Sequence, residues 1–195
     1  QIITGDAARA AAEYAAKTAY KETDAATYQA MEALVHNLNT MNSRAGAQVP
    51  FSSLNYGTDT SPEGRMAVHN LLRATEAGLG DGETPIFPVQ IFKVKEGVNY
   101  NEGDPNYDLF RHALRCSAKR LFPNFSFLDA PFNLQYYKPG DYNTEVAYMG
   151  CRTRVMGNVF DNTKEVTCGR GNLSFTSINL PRIGIEAKGR YENVL

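Results

Sequence analysis

The sequence predicts an α/β fold, and three observations carry that expectation. Short apolar runs suited to strands alternate with segments of helical periodicity, which in one chain implies a largely parallel sheet joined by crossover helices. The helical segments carry start and stop residues at their ends. With 195 residues, 43% hydrophobic and 21% charged, the chain has the make-up of a soluble globular protein. That length suffices for one good core or two small domains.

The elements follow in order. Residues 6–41 give a long helical signal that starts at Gly5-Asp6 and is rich in alanine. Tyr28, Met31, Leu34, Val35 and Leu38 recur in it at three- and four-residue steps. A break is expected near Glu22-Thr23-Asp24, where Thr23 or Asp24 would cap a second helix. These helices would either pack on a partner subunit or cover the chain's own sheet.

A polar loop over 42–48 leads to a strand over 49–56. Ser61-Pro62-Glu63 begins a helix that reaches Ala77 and stops at Gly78 and Gly80. A strand over 86–95 contains Pro88, which marks an edge, an end or a bulge. A helix over 106–121 would carry Leu109, Phe110, Ala113, Leu114 and Leu121 on one side. Residues 125–128 read as a short buried strand, and 129–143 as a structured loop rich in proline, glycine and aromatics. The last signal is a β-prone run over 173–185, broken by Pro181. No internal repeat or low-complexity linker is present.

Composition excludes several classes. A formal net charge of -1 gives no reason to expect nucleic acid or an anionic membrane as partner. No apolar run is long enough to span a bilayer, and the first residues lack the regions of a signal peptide. Cys116, Cys151 and Cys168 are odd in number and without C-x-x-C spacing, which argues against a disulfide framework or structural zinc. A reducing cytoplasm is the simplest compartment. The ends of the chain read as the edges of an excised piece.

The residues able to carry chemistry are few. Cys151 follows Gly150, whose backbone freedom suits a tight turn, so it is either a presented, reactive thiol or a small buried hydrophobe. Cys116 falls on an amphipathic helix and reads as core; Cys168 sits in a turn and remains open. His36, His69 and His112 all lie in helical segments as satisfied helix residues, and no nucleophilic triad is evident. There is no Walker loop or dinucleotide fingerprint, and Gly169-Arg170-Gly171 is too short to count as a phosphate loop. Two polar segments could cradle an anion or be ordinary loop: residues 43–48, where Arg44 can pair with a phosphate, and 176–182.

Three stretches carry a family resemblance. Residues 36–60, Met149-Gly150-Cys151-Arg152-Thr153 and the run from Gly171 to Arg182 resemble the anaerobic (class III) ribonucleoside-triphosphate reductases, and the similarity runs through essentially the whole chain. The resemblance implies a ten-stranded α/β barrel whose central finger loop, here near 148–153, carries a radical cysteine at its tip. Cys151 would be that cysteine. A glycyl radical would convert it to a thiyl radical, which abstracts the 3′-hydrogen of the substrate ribose; the 2′-hydroxyl then leaves as water and formate supplies the reducing equivalents. Asn172 would hydrogen-bond the ribose hydroxyls. Met149 matches a methionine of the formate-using members, which favours formate over thioredoxin.

The resemblance also assigns the periphery. The loop of Asn42, Ser43, Arg44, Ala45, Gly46, Ala47 and Gln48 looks like the specificity loop that couples effector to substrate base. Helices within residues 1–42 would form the homodimer region where ATP and deoxynucleotide effectors bind, and residues 43–195 the barrel portion. Ser177, Asn179 and Arg182 would help hold the substrate's phosphates, with their Mg. A separate S-adenosylmethionine/iron-sulfur activase would generate the glycyl radical on a residue outside this chain.

The family's second active-site cysteine, its C-terminal glycyl-radical motif, its cysteine-rich zinc site and the ATP-binding cone of many members have no match here. The expectation is therefore an internal fragment of the large subunit that does not turn over alone. The rival expectation is a non-catalytic nucleotide-binding and dimerisation module. A relative of pyruvate formate-lyase is disfavoured because no Cys-Cys pair occurs.

Overall fold

A computed structural model describes residues 5–43, 45–150, 153–155, 161, 163, 176–188 and 190. Its centre is a parallel sheet of three strands, β1 (Ser53–Tyr56), β2 (Val89–Val94) and β3 (Asn124–Phe127), in the order β1-β2-β3. Between them run α2 (Pro62–Ala77) and α3 (Tyr107–Arg120), and α1 (Gly5–Thr40) precedes them all. A short α4 (Pro131–Leu134) follows β3. The antiparallel pair β4 (Ala147–Met149) and β5 (Thr153–Val155) comes next, and α5 (Leu180–Ala187) closes the described chain.

The three long helices cover one face of the sheet. Side chains alternate across a strand, so Tyr56 on β1 points the same way as its register partner Phe92 on β2 and as Phe125 on β3. Phe92 and Val94 pack against Val68 and Leu72 of α2 and against Leu109, Ala113 and Cys116 of α3. A second cluster joins Val35 of α1 to Leu71 and Ala74 of α2, with Leu54 and Tyr56 against it. A buried polar relay crosses this core: the Tyr56 hydroxyl donates to Gln90 Oε1 (2.6 Å), Gln90 Nε2 to Thr75 Oγ1 (2.8 Å), and Thr75 Oγ1 to the Leu71 carbonyl (2.8 Å). Each buried polar group thereby finds a partner, which avoids the cost of an unpaired one.

Two devices tie the helix ends to the sheet. Asn39, near the end of α1, donates to the carbonyls of Val35 and Phe87 and accepts from the amides of Ile86 and Phe87. Arg120 donates to the carbonyls of Glu76, Ala77 and Gly82, closing the C-terminal ends of α2 and α3 together. At the exit of β1, Gly57 has φ +122° and approaches β2 so closely that a Cβ would lie 2.8 Å from the Lys93 carbonyl. Buried Asn99 and Asn106 both donate to the Gly57 carbonyl.

Several sequence expectations are met and several are corrected. Helix α2 starts and stops as read, with the Ser61 side chain accepting from the Gly64 amide and Gly78 at the C-cap. The break near Glu22-Thr23-Asp24 is absent: α1 runs unbroken for 36 residues. No glycine or proline interrupts it after Gly5, and Asp24 is engaged by Asn70 and Arg73 of α2 instead of capping. The helix packs on α2, while residues 5–17 stay exposed throughout.

The strand expected over 49–56 forms only from Ser53, after Pro50, which has no N–H to give to a ladder. Residues 86–88 stay out of β2 because Asn39 takes the amides of Ile86 and Phe87 and Pro88 has none. Strand β3 is only partly buried, with Phe127 at 51% exposure. On α3 the buried set is Leu109, His112, Ala113 and Cys116, while Leu114 and Leu121 face outward. The β-prone run over 173–185 becomes helix from Leu180: the Asn179 side chain accepts from the Arg182 amide and Pro181 fits the first turn, overriding the β-branched isoleucines. Residues 173–175 of that run lie outside the described residues.

The packing yields a paired prediction. Phe92→Ala should cost the chain about 3–5 kcal/mol in urea unfolding, whereas Leu114→Ala should stay within about 0.5 kcal/mol. Equal effects would contradict the assigned core.

Candidate active site

The opposite face of the sheet carries no long helix among the described residues. It presents Ser53 and Asn55 of β1, Ile91 and Lys93 of β2 and Ser126 of β3, the residues that alternate with the core set. The β4–β5 hairpin lies over this face. Asn55 Nδ2 donates to the Tyr148 carbonyl (2.7 Å), and the Tyr148 amide donates to Asn55 Oδ1 (2.9 Å). The Gly150 amide donates to Ser53 Oγ (3.1 Å), and Ser126 Oγ donates to the Tyr148 hydroxyl (3.0 Å). Strand β5 is fastened on its far side, where Arg154 bonds Asn133 Oδ1 (3.1 Å) and stacks over Phe132 of the α4 segment.

An ion-pair cluster secures the entry to the hairpin. Glu145 meets Lys93 Nζ at 2.9 Å and Lys95 Nζ at 3.6 Å, and the Lys93 and Glu145 side chains are 13% and 14% exposed. Burial works to lower the Lys95 pKa, but the hydrogen bond to the Tyr137 hydroxyl and the Glu145 charge outweigh it, so the net shift is upward. The next residue, Val146, is fully enclosed. The chain thus enters β4 under both ionic and apolar constraint.

Strands β4 and β5 pair Ala147 with Val155, Tyr148 with Arg154 and Met149 with Thr153, so only residues 150–152 connect them. Gly150 has φ +67°, and a Cβ there would lie 3.1 Å from the Phe51 ring; glycine suits both demands. Cys151 and Arg152 lie outside the described residues, as do Arg44, Asn172 and Cys168. Their flanks place Cys151 by sequence between two anchored strands.

The other expected site residues occupy separate places. Met149 is half-buried in β4. The described part of the 42–48 loop (Asn42, Ser43, Ala45, Gly46, Ala47 and Gln48) is exposed, and both the amide and the hydroxyl of Ser43 bond the Gln48 carbonyl. Gly46 and Ala47 take positive φ in the turn between them. Ser177 is exposed before α5; Asn179 is committed to capping that helix, and Arg182 Nε pairs with Glu186 at 2.7 Å.

Two groups singled out by the sequence are structural. Cys116 is fully buried, its Sγ 3.7 Å from the Leu72 carbonyl, and burial pushes its pKa up to about 11, with the nearby Glu76 charge adding to the shift. His112 is buried and its pKa is lowered, chiefly by desolvation, against the opposing pull of Glu76 at 3.2 Å. Among the described residues, no three histidine, cysteine or acidic side chains gather as a metal site, and no helix is long and apolar enough to cross a membrane.

The residues that sequence reasoning passed over are Ser53, Asn55, Lys93, Ser126 and Glu145. For Ser53 and Asn55 the signal was present in Ser53-Leu54-Asn55-Tyr56, where polar and apolar side chains alternate with strand period and mark a second, polar face. What that face would hold was not readable, because its occupant lies more than ninety positions away.

Among the described residues, a parallel α/β sheet with its long helices on one face and a glycine-led hairpin clamped to the other defines the class of the fold and site. Sequence comparisons then give the family. The family pattern described as anaerobic ribonucleoside-triphosphate reductase matches residues 5–195. The chain is 37% identical over 163 residues to the anaerobic ribonucleoside-triphosphate reductase of Escherichia coli K12, covering 83% of this chain and 22% of the relative. The enzyme of the same name from Salmonella typhimurium LT2 is 36% identical over 172 residues, covering 88% and 23%. That of Enterobacteria phage T4 is 36% identical over 170 residues, covering 87% and 27%. The chain belongs to the anaerobic ribonucleoside-triphosphate reductase family, and it spans about a quarter of the length of these relatives.

The thiol chemistry yields a prediction. A pKa of about 11 leaves roughly one Cys116 in a thousand as thiolate at pH 8, against about one in ten for a thiol at 9.0, so native Cys116 should alkylate about 100-fold more slowly than in denaturant. Mass spectrometry of iodoacetamide-treated chain reads this; equal rates in the two states would contradict the assigned burial.

Proposed function

We propose that this chain is the part of an anaerobic ribonucleotide reductase that carries the finger loop of a ten-stranded α/β barrel, and that Cys151 at its tip is the thiyl-forming residue. The observation that carries the reading is the hairpin's position. The strand order β1-β2-β3, with the long helices among the described residues on one face, is compatible with a stretch of barrel wall whose helices lie outside. The hairpin on the other face then extends toward the barrel interior, and the family membership supports a cysteine at its turn.

The glycyl radical, on a residue outside this chain, supplies the one-electron oxidation that turns a thiol into a thiyl. Cys151 follows the anchored Gly150 in sequence, and in this reading its sulfur takes the 3′-hydrogen of a ribonucleoside triphosphate. The 2′-hydroxyl would depart as water on taking up a proton, formate would give two electrons and leave as carbon dioxide, and the Cys151 thiol would return its hydrogen to C3′. Asn172 hydrogen-bonds the ribose hydroxyls, and Met149, immediately before Gly150, borders the formate. Rigid strands at both ends of a three-residue turn suit such a site, because misplacement of a reacting atom by about 1 Å can cost about 10²-fold in rate.

The remaining assignments follow the resemblance. The 42–48 loop, closed by Ser43 on Gln48, is a specificity loop between effector and substrate base. The exposed first half of α1 belongs to a homodimer interface, and Tyr14 and Tyr20, 73% and 65% exposed, give it aromatic contact surface. Ser177, Asn179 and Arg182 lie near the substrate's phosphates and their Mg, with Asn179 acting through the helix it caps. An S-adenosylmethionine/iron-sulfur activase is the partner that loads the radical.

The test uses the full-length enzyme. Cys151→Ser should lower turnover with formate by at least about 10³-fold, equivalent to about 4 kcal/mol of barrier, while effector binding and glycyl-radical formation persist. Undiminished turnover would favour the non-catalytic module instead.

A further inference from the structure

We propose that Asn55, assisted by Ser53, is the positioning residue that sets the finger-loop turn, acting on Cys151 through the backbone of β4. The proposal rests on the reading of Cys151 as the reactive thiol.

Ser53 and Asn55 are two residues apart on one strand and share a face, while Leu54 and Tyr56 between and beside them are held in the helix-side core. Their aim is therefore fixed by packing on the other side of the sheet. The Asn55 amide meets both backbone groups of Tyr148, donating to the carbonyl at 2.7 Å and accepting from the amide at 2.9 Å. Ser53 Oγ then accepts from the Gly150 amide at 3.1 Å. The outer edge of β4 is thus satisfied at alternate residues, 148 and 150, as a neighbouring strand would satisfy it, but by side chains.

The chemistry of this clamp is specific. A backbone carbonyl can only accept and a backbone amide can only donate, so the partner must offer one donor and one acceptor side by side, which a carboxamide does. Aspartate in place of Asn55 would still accept from the Tyr148 amide but would set a second lone-pair oxygen against the Tyr148 carbonyl. The second anchor falls on the Gly150 N–H, one residue before Cys151, at a backbone position with φ +67° and the Phe51 ring against it. The base of the turn, at Tyr148 and Gly150, is therefore held from β1, although neither Ser53 nor Asn55 is assigned any contact with substrate.

The experiment is steady-state kinetics on the full-length reductase carrying Asn55→Ala, Asn55→Asp or Ser53→Ala, with Cys151→Ser in parallel. Glycyl-radical content by electron paramagnetic resonance and thermal midpoint are measured on each. The expected result is a fall in kcat of about 10-fold or more for both Asn55 variants, with substrate KM within about 3-fold and radical content unchanged, and a smaller fall for Ser53→Ala. A purely structural role would lower kcat only in proportion to folded, radical-bearing enzyme, and that result, or wild-type kcat, overturns the proposal. If the Asn55 variants do not fold, Ser53→Ala decides alone: a kcat loss of about 3-fold or more at full radical content supports the clamp, and none overturns it. A Cys151→Ser enzyme that still turns over would sink the reading of the cysteine itself. A dead Cys151→Ser beside fully active Asn55 variants would sink only the clamp.

Discussion

The period-two alternation of side chains along β1 is the constraint on which the rest of the structure depends. Leu54 and Tyr56 enter the apolar and relay-bonded core beneath α1, α2 and α3, and that packing leaves Ser53 and Asn55 no direction but the opposite face. A register slip of one residue would exchange the two sets, burying a carboxamide among leucines and exposing a tyrosine. Parallel pairing with β2 from Ser53↔Val89 to Tyr56↔Phe92 prevents it, since Phe92 is the residue around which the main cluster is built. Core packing on one side of a four-residue strand thereby fixes the geometry of the hairpin on the other.

The hairpin itself is too short to stand alone. Three ladder pairs and a three-residue connection would be at best marginal in water. It is held because polar groups on three strands reach it: Asn55 and Ser53 from β1, Lys93 from β2 through Glu145, and Ser126 from β3. The Lys93–Glu145 pair is nearly enclosed, where an uncompensated charge would be costly and a matched pair is specific. Such a seat holds the base of the turn, at Tyr148 and Gly150, through polar groups in place of a large apolar contact.

Much of the fold was legible in the sequence, and the failures have physical causes. The start and stop of α2 were readable because Ser61, Pro62 and Gly78 act locally. The continuous α1 was not, because Asp24 is claimed by Asn70 and Arg73 far along the chain, and a local reading assigns it to a cap. The short start of β2 escaped for the same reason, with Asn39 diverting the strand's first amides. Helix α5 was misread because Ile178, Ile183 and Ile185 favour strand, while Asn179 and Pro181 decide the matter. Cys116 was legible as core, and at the candidate site Gly150 was legible as a turn. The clamp was not, since Asn55 and Tyr148 are brought together only by the tertiary fold.

The central claim is that the hairpin is seated on β1 by side-chain acceptors, and hydrogen exchange at the Tyr148 and Gly150 amides tests it most directly. These two N–H groups have no backbone acceptor in the clamp; their partners are Asn55 Oδ1 and Ser53 Oγ. Both should exchange slowly in the native protein, and the Tyr148 amide should lose its protection when Asn55 is replaced by alanine while the amides of β2 keep theirs. Exchange at the rate of an open loop in the unmodified protein would contradict the account.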